Sequence, residues 1–173
     1  MSLSQIQTVL RPPNPDDGAP VFRLISRCPP LDVNSMYCNL LQCTHFASTS
    51  VSAVQKLNTK EELVGFISAY LVPGREDTLF IWQVAVDERA RGVGLAGNML
   101  KHILERPQCS QITYLETTIT ESNKASWALF ESLTNKLGTT LNKSVMFDRD
   151  KHLAGEHDTE FLARIGPFNP AQT

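Results

Sequence analysis

A chain of 173 residues with 42% apolar and aromatic side chains suits one globular core, and it contains no run of about 18 apolar residues that could span a bilayer. Sixteen Lys and Arg against 18 Asp and Glu leave a formal charge of −2, so there is no electrostatic case for nucleic acid or an anionic membrane as partner. The N-terminus has no signal-like pattern, and Cys28, Cys38, Cys43 and Cys109 lack paired metal-ligand spacing. A cytoplasmic protein with reduced thiols and no metal is expected.

Residues 1–20, with Pro12, Pro13, Pro15, Asp16, Asp17 and Gly18, predict a flexible arm. The domain is expected over residues 21–166. Val21–Ser26 reads as a strand stopped by Pro29 and Pro30. Asp32–Phe46 reads as a helix with Met36, Leu40, Leu41 and Phe46 near one face, capped by Asp32 or Asn34. Thr49–Gln55 predicts a strand, and Glu62–Val72 and Thr78–Val86 predict a hairpin turning at Pro73–Asp77. A glycine loop then leads into a helix over Gly92–Glu105, followed by a strand at Gln111–Thr118. A helix over Lys124–Lys136, capped by Ser122 or Asn123, and strands at Thr140–Phe147 and Thr159–Ile165 complete the pattern. Residues 167–173 read as a flexible tail. There is no internal repeat. The order predicts an α/β (α+β) fold, a central mixed sheet with helices on both faces.

The strongest chemical signal is Arg89–Ala96, RARGVGLA, directly after the apolar run Leu79–Val86. A strand, a glycine turn and a helix start in that order make an anion site: Gly92 and Gly94 let the backbone approach a ligand, and the helix N-terminus favours phosphate oxygens. Arg89 and Arg91 add charge at the rim. No Lys-Ser or Lys-Thr follows Gly94, which excludes a Walker loop. The letters of a Rossmann fingerprint appear at 92–97, but the preceding hairpin is not the opening of a βαβ unit.

The core Arg89-Ala-Arg-Gly92-Val-Gly94 resembles the acetyl-CoA signature of the GNAT superfamily of N-acetyltransferases. The blocks Pro30–Phe46, Leu63–Leu95, Leu115–Phe130 and Glu156–Ile165 resemble more closely the L-2,4-diaminobutyrate acetyltransferases of ectoine synthesis. The resemblance implies the GNAT fold, a mostly antiparallel sheet with a V-shaped splay that admits acetyl-CoA. Backbone groups of Val84, Ala85 and Val86 would line the pantetheine as a strand edge takes a peptide. The amides of Gly92, Val93, Gly94, Leu95 and Ala96 would hold the pyrophosphate, with Asn123 reaching the pantetheine or its thiol end.

The implied chemistry is attack of a neutral amine on a thioester, which needs orientation, a proton acceptor, an oxyanion donor and a proton for the thiolate. Glu116 is the candidate for binding the ammonium and accepting its proton, directly or through water, with Thr117, Thr118 and Thr120 as a polar wall. Phe130 stands where GNAT enzymes often carry an acidic Tyr, and Trp127 cannot replace it. Tyr37 ranks first as the acid, ahead of Tyr114, water or no enzyme acid. Asp32, Trp82 and His157 are candidates for holding the diamino acid, and Asn34 and Ser35 for its carboxylate. A homodimer is expected. Two other readings stand beside it: a GNAT enzyme for another amine, such as a polyamine, a lysine side chain or an aminoglycoside, and a non-catalytic acetyl-CoA-binding module.

Overall fold

A computed structural model of the chain describes residues 7–57 and 60–170. In chain order it contains β1 (Gln7–Arg11), α1 (Gly18–Ser26), α2 (Met36–His45), β2 (Val51–Leu57), β3 (Lys60–Val72), β4 (Arg75–Val86), α3 (Leu95–Leu104), β5 (Tyr114–Thr120), α4 (Lys124–Lys136), β6 (Leu141–Phe147) and β7 (Glu160–Ile165). The strands are hydrogen-bonded in the order β1-β2-β3-β4-β5-β7-β6. β4 and β5 run parallel, whereas β1–β2, β2–β3, β5–β7 and β6–β7 are antiparallel. This is the mixed, mostly antiparallel sheet expected of the sequence. Among the described residues no helix is long and apolar enough to cross a membrane. The chain divides into two compact units, one taking in the chain to Tyr70 with Gln83–Cys109, the other Leu71–Trp82 with the chain from Ser110.

In the first unit, three sequence expectations are corrected. Val21–Ser26 is not a strand but the greater part of α1. Val21, Leu24 and Ile25 are buried at helical spacing, and they pack with Cys43, Val54, Leu63, Phe66 and Ala85. Pro20 lies in the first turn, where its missing N–H leaves no helical bond unmade. Nor do the residues from Gln7 onward form a loose arm. β1 pairs with β2 from Gln7↔Lys56 to Arg11↔Ser52. Arg11 then grips the buried Asp17 at 2.6 Å, and Asp17 also accepts a hydrogen bond from Ser52 Oγ at 3.1 Å. Residues 1–6 of the expected arm lie outside the described residues. α2 starts later than expected, and its cap is Ser35, whose Oγ accepts from Cys38 N at 3.1 Å. α3 buries Leu95, Met99, Leu100 and Ile103. A Cβ on Gly65 would sit 3.0 Å from the Met99 side chain, so this position of β3 is kept bare to seat α3.

In the second unit, β5 lies between β4 and β7. Its parallel ladder with β4 covers Thr78↔Tyr114, Leu79↔Leu115 and Phe80↔Glu116, whereas its antiparallel ladder with β7 runs from Leu115↔Ile165 to Thr120↔Glu160. α4 occupies the expected residues and is capped by Asn123, whose Oδ1 accepts from Ser126 N at 3.1 Å. Phe130 and Leu133 are buried beneath it. The start of the expected tail is fastened: Phe168 is buried and donates its N–H to Thr113 O at 3.0 Å. Residues 171–173 lie outside the described residues.

Candidate active site

The glycine loop of the first unit is built as its sequence requires. Gly92 and Gly94 have φ of 77° and 76°, a conformation that L side chains rarely adopt. Nothing lies within 4 Å of a Cβ built on either, so space for a ligand is left above them. Gly94 is also the N-cap of α3, and no side chain caps this helix, in contrast to Ser35 on α2 and Asn123 on α4. The amides of Leu95 and Ala96 therefore stand at an uncapped helix start, the arrangement that receives a phosphate. These residues fit the pyrophosphate of a coenzyme A thioester.

The two rim arginines differ. Arg89 is held by Asp87 at 2.9 Å and Glu62 at 2.6 Å, so its charge serves the loop itself. That pairing, helped by Arg27, holds the Asp87 carboxyl well below the usual carboxylate range against the opposing effect of burial. Arg91 is exposed and donates only Nε inward, to Val86 O at 3.0 Å. Both arginines are exposed, but no ion pair is seen for Arg91 among the described residues, whereas Arg89 is held by two carboxylates.

Val84, Ala85 and Val86 form the end of β4, and Gln83 immediately before them is buried. Gln83 Nε2 donates to Asp32 O at 2.9 Å, and its Oε1 accepts from Asn34 Nδ2 at 3.4 Å. One buried amide thus ties the segment ahead of α2 to the strand ahead of the glycine loop. Asp32 keeps an exposed carboxylate, because Gln83 engages only its backbone. Ser35 is committed to its cap, and Tyr37 is 70% exposed on the first turn of α2.

In the second unit Glu116 is buried, with only 2% exposure, and its carboxylate is paired twice. Arg75 donates Nη1 to Oε1 at 2.6 Å and Nη2 to Oε2 at 2.8 Å, and Arg164 donates Nη1 to Oε1. Burial would raise the proton affinity of Glu116, but the two guanidinium groups outweigh it and hold the group below its ordinary value. The solvated strand-end reading is thereby excluded. Arg164 also stacks on Tyr114, with Cζ 3.9 Å from the ring centre.

Strand alternation sorts the remaining candidates. Thr118 and Thr120 share the face of Glu116, whereas Thr117, buried opposite Ala163, belongs to the other face and is not part of that wall. Phe80 stands in register with Glu116, and Trp82, two residues along the same face, is 42% exposed. His157 is exposed in the connection between β6 and β7. Trp127 donates its indole N–H to Thr120 O at 3.1 Å, and Phe130 is 2% exposed. Neither offers a titratable proton.

Residues 20–134 match the acetyltransferase (GNAT) family. The chain is 57% identical to an L-2,4-diaminobutyric acid acetyltransferase from Methylotuvimicrobium alcaliphilum, with 94% of this chain and 92% of that protein covered. The chain belongs to the L-2,4-diaminobutyric acid acetyltransferases. A relative of the same name from Vibrio cholerae is 52% identical, with 91% and 88% covered. Among solved structures the chain is similar to the diaminobutyrate acetyltransferase EctA from Paenibacillus lautus in complex with L-2,4-diaminobutyric acid and coenzyme A, at a TM-score of 0.86 and 34% identity over 94% of this chain and 96% of that one. For this diaminobutyrate acetyltransferase, sequence reasoning missed Gln83, Arg75 and Arg164. Gln83 had a signal, a lone amide inside the apolar run Leu79–Val86. The two arginines had none, since only the fold brings positions 75, 116 and 164 together.

Proposed function

We propose that this chain transfers the acetyl group of acetyl-CoA to the 4-amino group of L-2,4-diaminobutyrate, giving N4-acetyl-L-2,4-diaminobutyrate for ectoine synthesis, and that it works as a cytoplasmic homodimer. The observation that carries the reading is the likeness over 94% of the chain to the Paenibacillus lautus enzyme, whose structure holds L-2,4-diaminobutyric acid and coenzyme A. The uncapped glycine turn ahead of α3 supports it independently.

Acetyl-CoA supplies an activated acetyl thioester. The amides of Gly92 to Ala96 hold its pyrophosphate, with Arg91 as the nearby cation, and the backbone of Val84, Ala85 and Val86 lines the pantetheine. Asn123 has its Oδ1 taken by the α4 cap, which leaves its Nδ2 to donate. Arg89 acts on this site by fixing Asp87 and the loop rather than by meeting phosphate.

Glu116 holds the reacting ammonium. A carboxylate has about four acceptor sites, and the arginines occupy three, two on Oε1 and one on Oε2, so Oε2 keeps one for a substrate N–H. Its lowered proton affinity favours passing the proton on through water over keeping it. Trp82 faces the cationic chain of the substrate, Asp32 and His157 contribute to holding the diamino acid, and Tyr37 protonates the departing thiolate.

The test is thiol release with L-2,4-diaminobutyrate, a polyamine and an aminoglycoside, with NMR assignment of the product. The reading requires diaminobutyrate to be the preferred amine and the 4-nitrogen to carry the acetyl group. Preference for another amine, or no turnover with any, overturns it.

A further inference from the structure

Arg164 is placed to do more than neutralise Glu116. Its Nη1 bonds the carboxylate, its Cζ lies over the Tyr114 ring 3.9 Å from the ring centre, and the side chain remains 31% exposed. A guanidinium anchored through Nη1 and held over a ring keeps its other edge, Nε with Nη2, for a further acceptor. This edge matches a carboxylate in the two-bond geometry that makes arginine selective for such groups. Arg75, by contrast, turns both terminal nitrogens to Glu116. Two arginines against one glutamate leave this cluster one positive charge. Arg164 shares its strand face with Glu116 and, across the β4–β5 ladder, with Phe80.

We propose that Arg164 recognises the α-carboxylate of the amino-acid substrate, and so selects a diamino acid over a plain diamine. The proposal rests on the reading of the chain as a diaminobutyrate acetyltransferase and deepens it, since Asn34 and Ser35 were the earlier candidates for this anion and Ser35 is committed to its helix cap. Glu116 and Arg164 then work as a pair. The carboxylate takes the ammonium, and the guanidinium beside it takes the anion one short carbon chain away.

The experiment compares L-2,4-diaminobutyrate with 1,3-diaminopropane, which lacks only the carboxylate, in the wild type, Arg164→Met and Arg164→Lys. Wild type should prefer diaminobutyrate in kcat/KM. Arg164→Met should raise KM for diaminobutyrate roughly 10- to 100-fold, the range expected for a lost hydrogen-bonded ion contact, with a smaller change in kcat and none in acetyl-CoA affinity. Any change at Glu116 is common to both amines, so the readout is the ratio: the preference for diaminobutyrate over 1,3-diaminopropane should collapse. Arg164→Lys should recover part of it, because a point charge replaces a fork. Arg75 continues to pair Glu116 in both variants, which favours folding. Should Arg164→Met melt below the assay temperature, Arg164→Lys decides alone: an intermediate selectivity supports the proposal, and a wild-type one overturns it. Wild-type selectivity in Arg164→Met, with diaminobutyrate turned over normally by the parent enzyme, removes this proposal and leaves the proposed function standing. A parent enzyme that does not turn over diaminobutyrate removes both.

Discussion

The glycine loop of the first unit and the charge cluster of the second do opposite things with similar raw material. Each contains an acidic side chain clamped by arginines, Asp87 by Arg89 and Arg27, and Glu116 by Arg75 and Arg164. At the loop the ion pairs brace a turn whose working surface, in the proposed function, is backbone, the amides at the start of α3. In the cluster the proposed working surface is the side chains themselves. A backbone site tolerates changes in side chain but not in conformation, and a side-chain site shows the reverse.

The largest expected effect comes from breaking the loop. Gly94→Asp puts a carboxylate at the uncapped helix start that receives phosphate in the proposed function, and acetyl-CoA affinity should fall at least about 100-fold. The fold should survive with a penalty of about 1–2 kcal/mol for a side chain at positive φ, since nothing lies within 4 Å of the added Cβ. Titration calorimetry beside a melting curve checks both, and unchanged affinity would remove the phosphate cradle.

A second contrast separates a packing residue of the second unit, Phe130, from a proposed proton donor of the first, Tyr37. Phe130→Ala should cost about 3 kcal/mol of stability through lost packing, while the folded fraction keeps its turnover, because a buried phenyl ring supplies no proton. Tyr37→Phe should do the converse, lowering kcat roughly 10-fold, within the lower range for a lost general acid, without changing the melting temperature or acetyl-CoA affinity. Full activity in Tyr37→Phe would give the thiolate its proton from water.

The smallest effect concerns acid. Glu116 has its folded proton affinity lowered, so its stabilisation is present above the ordinary glutamate value of about 4.3 and is lost as pH falls through the lower folded value. Wild-type melting temperature should drop as pH falls below about 4, and Glu116→Gln should show a shallower drop. Equal slopes would mean that the ion pairs contribute nothing to stability.

The same contrast explains what could be read from the sequence. The loop, the α4 helix with its Asn123 cap, and the strands β3 to β7 follow from local rules: glycine where φ is positive, apolar periodicity, a capping side chain. α1 was misread because Val21, Leu24 and Ile25 lie in a short segment beside prolines, where strand and helix spacing look alike until the core selects one face. β1 was hidden because proline-rich composition resembles a linker, whereas its order comes from backbone bonds to β2 and the Arg11 grip on Asp17. Glu116 stands out from its block as a candidate, but its partners do not. Arg75, Glu116 and Arg164 meet only through strand pairing between distant positions, and no local pattern encodes such a meeting.

The central claim is that cofactor and amine are held by separate devices, backbone for the one and the Glu116 cluster for the other. Glu116→Gln tests it most directly, with acetyl-CoA affinity by calorimetry and diaminobutyrate turnover by thiol release on one preparation. Acetyl-CoA affinity should stay within about twofold, while turnover at neutral pH falls by the roughly 100-fold typical of a lost proton acceptor. The deficit should narrow as rising pH supplies free amine. Wild-type turnover in Glu116→Gln at neutral pH would contradict the account, leaving Glu116 as a structural partner of two arginines and moving the ammonium site to Asp32 and His157.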